Sequence, residues 1–388
     1  MGWILSTNNV IDFLKKSKIC SSDFQPVVPI ICKESKNFNL VVQGNDNNSF
    51  LVKQNRVDSE GRTSGNLITE WSVQNLIDRF SELASIQPLI SEILKFDRQN
   101  SAIVAVFYED YISLDDFYES RNTYDSRIAN MLGVNLATIH QTTYQQQQQR
   151  EFLSRYIRLK FTRKPPGFIR RLNSISPSIF ARTCPDGLTF YKLYQRFPSL
   201  NQAVVELYDR LQPVCLTHND LTLDNFIIDT QIDLSSDSAT IRPEQLKIID
   251  WEFINWGDPI VDLGTLVSQY LDEWLNSLVA DSSLDLNTIL RLASCPLEKI
   301  IPSLQAFLQG YLTQFPEILN YRPDFIRRIV QFAGIGILSR LSYYVEYHYH
   351  FDNESICKLQ VAKNLLCNPQ QGIETLFGTT EAELIAQY

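Results

Sequence analysis

Leu216-Thr217-His218-Asn219-Asp220-Leu221-Thr222-Leu223-Asp224-Asn225 opens the stretch on which the reading of this 388-residue chain turns. Ile249-Asp250-Trp251-Glu252, Gly257-Asp258-Pro259 and Asp262-Leu263 close it. Between them, Phe226-Ile227-Ile228 and Leu246-Lys247-Ile248-Ile249 have the composition of strands and should pair as a hairpin. The seventeen mostly polar residues from Asp229 to Gln245 that join these runs read as a surface insertion.

His-x-Asp with Asn five residues after the Asp, then an apolar strand ending in Asp, is the spacing of a kinase catalytic loop. His-x-Asp alone is common by chance; followed by Ile-Asp-Trp-Glu, Gly-Asp-Pro and Asp-Leu in this order, it is not. On these residues the chain resembles the aminoglycoside phosphotransferase and choline kinase family, the small-molecule branch of the protein-kinase-like fold. The resemblance implies an α+β, bilobal fold. Residues 1–110 would form an N-lobe with a small antiparallel sheet and one main helix, joined by a hinge at about 107–111 to a larger, mostly helical C-lobe over 111–388.

The remaining pattern is compatible with that layout. Phe38 to Gln43 and Ser49 to Gln54 are β-rich runs joined by Gly44-Asn45-Asp46-Asn47-Asn48, a hairpin signature. A helix is expected over about Ile68 to Leu83, a strand over Ala102 to Phe107, and a helix over Ser126 to His140 capped by Asp125 or Ser126. Val204, Leu207 and Leu211 mark a short helix ended by Pro213, and the pattern after Leu286 is helical to the end. Gln145 to Gln149 read as a solvent-exposed loop or extension.

The resemblance implies transfer of the γ-phosphate of ATP, or GTP, to a hydroxyl, less readily an amine, of a small molecule. Asp220 would orient the acceptor and take its proton, while His218 braces the loop. Asn225 and Asp250 would supply the hard oxygens that Mg2+ takes from protein while keeping several waters. Lys53, near the end of its strand, would grip the α- and β-phosphates, paired with Glu70; Glu60 and Glu82 are also nearby in sequence. Asp258 and Asp262 are expected in support, with Asp262 capping a helix and holding the catalytic-loop backbone.

Three departures from the protein-kinase pattern point to the small-molecule branch. Cys32 to Asn39 contains no glycine where a phosphate-cradling loop would need it. Asn219 stands where the family often has glycine and protein kinases have arginine, and Trp251-Glu252 follow Asp250 in place of Phe-Gly. A nucleotide-binding scaffold without activity, or a protein kinase, are the alternative readings.

Charge frames the acceptor. Eight acidic and no basic residues lie between Asp250 and Leu290. Asp272 and Glu273, with Trp251, Glu252, Trp256 and Trp274, would suit a cationic acceptor such as an amino sugar, aminoglycoside or amino alcohol. The alternative is a solvated helix face over core tryptophans. Arg150 to Arg171, with eight basic residues and one acidic, could instead meet an anionic acceptor or a partner protein. A net charge of −9 argues against nucleic-acid binding.

No apolar run is long enough to span a membrane and the N-terminus lacks a signal-peptide pattern. Seven dispersed cysteines suit reduced thiols in a cytoplasm. The four histidines have no metal-ligand spacing; His348 and His350, two apart, should fall on opposite sides of a helix.

Overall fold

A computed structural model of the chain describes residues 3–34, 37–44, 48–56, 67–235, 241–279, 281 and 283–388. These divide into two compact units, one of residues 1–117, 145–159 and 224–255, the other of 118–144, 160–223 and 256–388. In chain order the elements are α1 (Val10–Lys16), β1 (Ile31–Glu34), β2 (Phe38–Gln43), β3 (Ser49–Gln54), α2 (Leu67–Arg79), β4 (Ile93–Asp97), β5 (Ala102–Val106) and β6 (Tyr111–Ser113). Next come α3 (Leu114–Arg121), α4 (Ser126–Thr143), α5 (Gln147–Leu153), α6 (Gly167–Asn173), α7 (Pro177–Phe180), α8 (Pro185–Gln195) and α9 (Pro198–Asp209). β7 (Cys215–Thr217), β8 (Phe226–Asp229), β9 (Leu246–Ile248) and β10 (Asn255–Gly257) follow. The chain ends in α10 (Pro259–Asn276), α11 (Leu286–Leu292), α12 (Leu297–Gln314), α13 (Ile318–Tyr321), α14 (Phe325–His348), α15 (Asn353–Cys367), α16 (Pro369–Phe377) and α17 (Glu381–Ile385). The architecture is α+β: an N-terminal antiparallel sheet and a mostly helical C-terminal part.

The first unit is organised by the sheet β1-β2-β3-β5-β4, whose neighbours all run antiparallel. Side chains alternate between its faces. Leu40, Val42, Phe50, Val52, Ala102 and Val104 pack with Val10, Phe13 and Leu14 of α1, a helix the pattern did not reveal. Ile103 and Ala105 pack on the opposite face with Ile93 and with Leu67 of α2. Lys53 is paired directly across from Ile103 and so shares its face. That register sends a lysine under α2.

A second sheet, β6-β8-β9, contains the expected hairpin, with Phe226 opposite Ile248 and Ile228 opposite Leu246. Its long connection is not wholly a surface excursion, because Ile232 and Ile241 are buried. Residues 236–240 lie outside the described residues, as do 45–47 of the first hairpin turn and Glu60. Gln145 to Gln148 are exposed as expected, but Gln147 opens α5 and Gln149 is buried, which corrects the expectation at its last residue. Phe152 and Tyr156, just beyond it, pack edge-on against Phe80 and Trp71, and this docking draws the glutamine inward.

In the second unit, Asp125 caps α4 by accepting from Arg127 N at 2.9 Å, and Ile128, Leu132, Leu136 and Ile139 form its buried stripe. Gly264 of α10 lets α14 approach closely, since a Cβ there would lie 2.3 Å from Phe332 Cβ. His350 lies beyond α14, which ends at His348, so the two histidines do not share a helix. All seven cysteines are free thiols. Among the described residues no helix is long and apolar enough to cross a membrane.

Candidate active site

Lys53 Nζ stands 3.0 Å from Glu70 Oε1 and 3.3 Å from Oε2, and it also pairs with Asp250 Oδ1. The lysine and glutamate side chains are only 8% and 6% exposed, while that of Asp250 is 45% exposed. Burial would lower the ammonium pKa, but Glu70 and Asp250 outweigh it and hold Lys53 above its ordinary value. Burial pushes the Glu70 carboxyl up, opposed by Lys53. Neither charge could remain buried alone without a large desolvation penalty, so each stabilises the other. Glu82 is exposed; Glu70 is the helix carboxylate beside the lysine.

Asp250 follows β9 in the left-handed region, at φ +61°, which turns the chain out of the strand. Trp251 closes the turn by donating from Nε1 to Ile248 O at 3.1 Å. Ile249 N donates to Asn225 O at 2.9 Å, extending the β8–β9 register by one step. Asn225 and Asp250 therefore stand at the same end of that hairpin.

The second unit holds the His-x-Asp loop. The Asp262 carboxylate accepts from His218 N at 2.7 Å and Asn219 N at 2.8 Å. Asp220 N lies 3.3 Å from His218 Nδ1, to which it donates, and Asp220 itself is half-buried. Asn219 has φ +65°, which explains why this position suits glycine or asparagine: most other side chains clash there. Gly257 is needed for a different reason, since a Cβ would sit 2.4 Å from Thr217 Oγ1.

The helix cap is Asp258, not Asp262. Its carboxylate accepts from Ile260 N at 3.2 Å and Gln212 N at 2.8 Å, and pairs with buried Arg322 at 2.5 Å. Asp262, one turn further, is left to grip the loop. Behind it stands a residue the sequence did not bring forward: His140 Nε2 lies 3.3 Å from Asp262 Oδ2, and His140 Nδ1 lies 3.1 Å from the Tyr311 hydroxyl. His140 sits on the apolar stripe of α4, with nothing local to mark it.

The candidate acceptor residues are dispersed. Trp251 and Trp256 are buried, and Glu252 is half-buried. Asp272 pairs with Arg340, and Glu273 accepts from the Tyr124 hydroxyl at 2.6 Å. Trp274 lines a cavity of about 430 Å3 with Leu271 and Leu297. Further along the acidic run, Asp285 caps α11 by accepting from Thr288 N at 3.0 Å. Much of the run thus has structural partners.

Residues 108–291 match the family described as "APH: Phosphotransferase enzyme family". No curated protein sequence matches the chain. A choline/ethanolamine kinase family protein from Mesorhizobium loti aligns over 96% of this chain and 99% of its own, at 14% identity and a TM-score of 0.52. The choline kinase LicA from Streptococcus pneumoniae aligns over 92% and 98%, at 18% identity and a TM-score of 0.41. At such identity the first of these likenesses establishes a fold and nothing finer. Residues 108–291 thus match the APH phosphotransferase family, and the chain has a kinase-like fold.

Proposed function

We propose that the protein transfers the γ-phosphate of ATP, or GTP, to a hydroxyl of a small molecule. The observation that carries this reading is Lys53, buried between Glu70 and the more exposed Asp250. A cation fixed from behind by one carboxylate and turned toward a second is suited to gripping the α- and β-phosphates of a nucleotide.

The donor set also fits Mg2+. Asp250 and Asn225 offer a carboxylate and an amide oxygen at one hairpin end, and the ammonium of Lys53 beside Asp250 stands in for a cation there. Among the described residues no three His, Cys, Asp or Glu are grouped to hold a metal ion, so the fit is to an ion completed by phosphate oxygens and water. Bound Mg2+ would neutralise charge on the phosphates. Asp220 would orient the acceptor hydroxyl and receive its proton as the new P–O bond forms and the bond to the nucleoside diphosphate breaks. His218 serves as a brace, its backbone held by Asp262.

For the acceptor, amino alcohols, amino sugars and aminoglycosides are the first classes to test, on the strength of the acidic run from Asp250 to Leu290. Asp272 and Glu273 are weaker support than their position suggested, because Arg340 and Tyr124 engage them. The test incubates the protein with Mg·ATP and a pool of these compounds and seeks, by mass spectrometry, any product heavier by one phosphate. Turnover should fall by about 10²–10⁴-fold in Asp220→Asn. Nucleotide binding with no product from a wide pool would favour a scaffold; a product that persists unchanged in Asp220→Asn would overturn the assignment of Asp220.

A further inference from the structure

A cavity of about 290 Å3 lies within the second unit, walled by α6, the segment following α7, α8 and the C-terminal end of α14. It is remote from the loop held by Asp262. α10 and α14 run side by side in the same direction: Gly264 lies against Phe332, Ser268 against Gly336, and Asp272 against Arg340. Asp262 is thus level with about residue 330 of α14, and Glu346 at the cavity lies roughly 20 Å or more further along at 1.5 Å per residue.

Its lining has a definite chemistry. Two guanidinium groups, Arg171 and Arg182, meet it, against one carboxylate, Glu346. Arg182 Nε donates to Ser178 O at 3.1 Å, which anchors the side chain through one of its five donors. The contact of Arg171 with Glu346 is long, 3.4 Å, between half-exposed and exposed side chains that water screens. Phe190 is a buried apolar wall, Tyr191 flanks it, and Tyr349 is an exposed lip. Tyr349 has φ +57°, an uncommon conformation for a bulky residue, so its backbone is held where a helix would not carry it. Exposed Phe180, Tyr343 and Tyr347 each adjoin a lining residue in sequence.

From this we infer that the cavity is a second ligand site, for a small anion carrying a flat ring, distinct from the site of phosphoryl transfer. Planar guanidinium forks match carboxylate or phosphate oxygens, and aromatic walls take the ring. The cavity is near the lower end of small-molecule sites, roughly 300 Å3, so the ligand is no larger than a substituted single or fused ring. Arg171, the last residue of the basic segment the phosphotransferase chemistry leaves unused, thereby acquires a role.

Phenyl phosphate serves as the probe, with phenol and inorganic phosphate as its separate halves, titrated calorimetrically into the full chain saturated with Mg·ATP. Phenyl phosphate should bind one equivalent saturably, and each half more weakly by about tenfold (~1.4 kcal/mol) or more. Arg182→Gln, at an exposed position, and Ser342→Trp, which fills the cavity from a half-exposed one, should each weaken phenyl phosphate by a similar factor. Asp250→Asn should not. Absence of saturable binding, phenol binding as tightly as phenyl phosphate, or unchanged affinity in both cavity variants would overturn the inference.

Discussion

His140 Nε2 lies 3.3 Å from Asp262 Oδ2, the same carboxylate oxygen that accepts from His218 N at 2.7 Å. With the ring proton on Nε2, His140 donates to Asp262 and its Nδ1 accepts from the Tyr311 hydroxyl, so one neutral tautomer satisfies both partners. Asp262 is thereby oriented from behind while it orients the loop in front. His140→Leu should lower kcat by about tenfold with little change in KM for ATP, because the loss is one of positioning. It should also cost about 1–3 kcal/mol of stability by stranding the Tyr311 hydroxyl. His140→Gln, which keeps a donor, should recover part of kcat. Steady-state kinetics on the two variants decide; a kcat unaffected by His140→Leu would remove His140 from the machinery.

The elements that were legible in the sequence were those set by short-range pattern. β2 and β3 have the bounds their alternation indicates, and α4 begins at the cap offered by Asp125. Glu70 was already the partner expected for Lys53, and the register that places Lys53 opposite Ile103 on the α2 face is what brings the two together. What stayed hidden depends on residues far apart in the chain. Nothing near Asp272 announces Arg340, 68 residues on, and nothing near Asp262 announces His140, 122 residues back. The acidic run looked like a surface waiting for a ligand because its partners lie elsewhere. Gln149 misled in the opposite sense, since polarity argued for solvent where the docking of Phe152 and Tyr156 decides burial.

Gln149 is 1% exposed, and among the described residues neither its amide nitrogen nor its amide oxygen has a hydrogen-bond partner. An unsatisfied buried polar group costs about 1–3 kcal/mol, and a buried apolar side chain of similar length avoids that cost. Gln149→Met should therefore stabilise the protein by about 1 kcal/mol and raise its urea midpoint at constant m-value. A lower midpoint would mean that the amide is satisfied by bound water and that the substitution removes it.

Tyr194 is fully buried, its hydroxyl has no partner among the described residues, and burial pushes its pKa up to about 12. Tyr118, Tyr208, Tyr270 and Tyr311 shift in the same direction, each chiefly through burial. In the unfolded chain a tyrosine ionises near pH ~10. Above that pH the unfolded state loses protons the folded state retains, which favours unfolding. The stability is fully present below pH ~10 and is lost as pH rises toward the folded-state values. Urea midpoints should be insensitive to these groups up to about pH 9 and then fall, each retained proton adding ~1.4 kcal/mol per pH unit to the slope. Tyr194→Phe should shallow that fall by close to one proton; an unchanged alkaline slope would show that Tyr194 ionises freely in the folded protein.

Lys53, Glu70 and Asp250 allow the structural and chemical roles of one cation to be separated. Lys53→Met strands the buried Glu70 carboxylate and should cost about 3–5 kcal/mol, the usual result of breaking a buried pair from one side. Lys53→Met combined with Glu70→Leu removes both buried charges, and stability should return to within about 1 kcal/mol of the starting protein. Activity should not return. If Lys53 grips phosphate, kcat/KM stays down by about 10²-fold or more in the double variant, because the lost contact is with the nucleotide and not with Glu70. Asp250→Asn, by contrast, leaves the buried pair intact and should abolish turnover at a smaller cost in stability, since its carboxylate is 45% exposed. Chemical denaturation together with kcat/KM on the four proteins provides the test. A double variant that regained both stability and activity would make Lys53 a structural residue and remove the main support for the phosphotransfer mechanism.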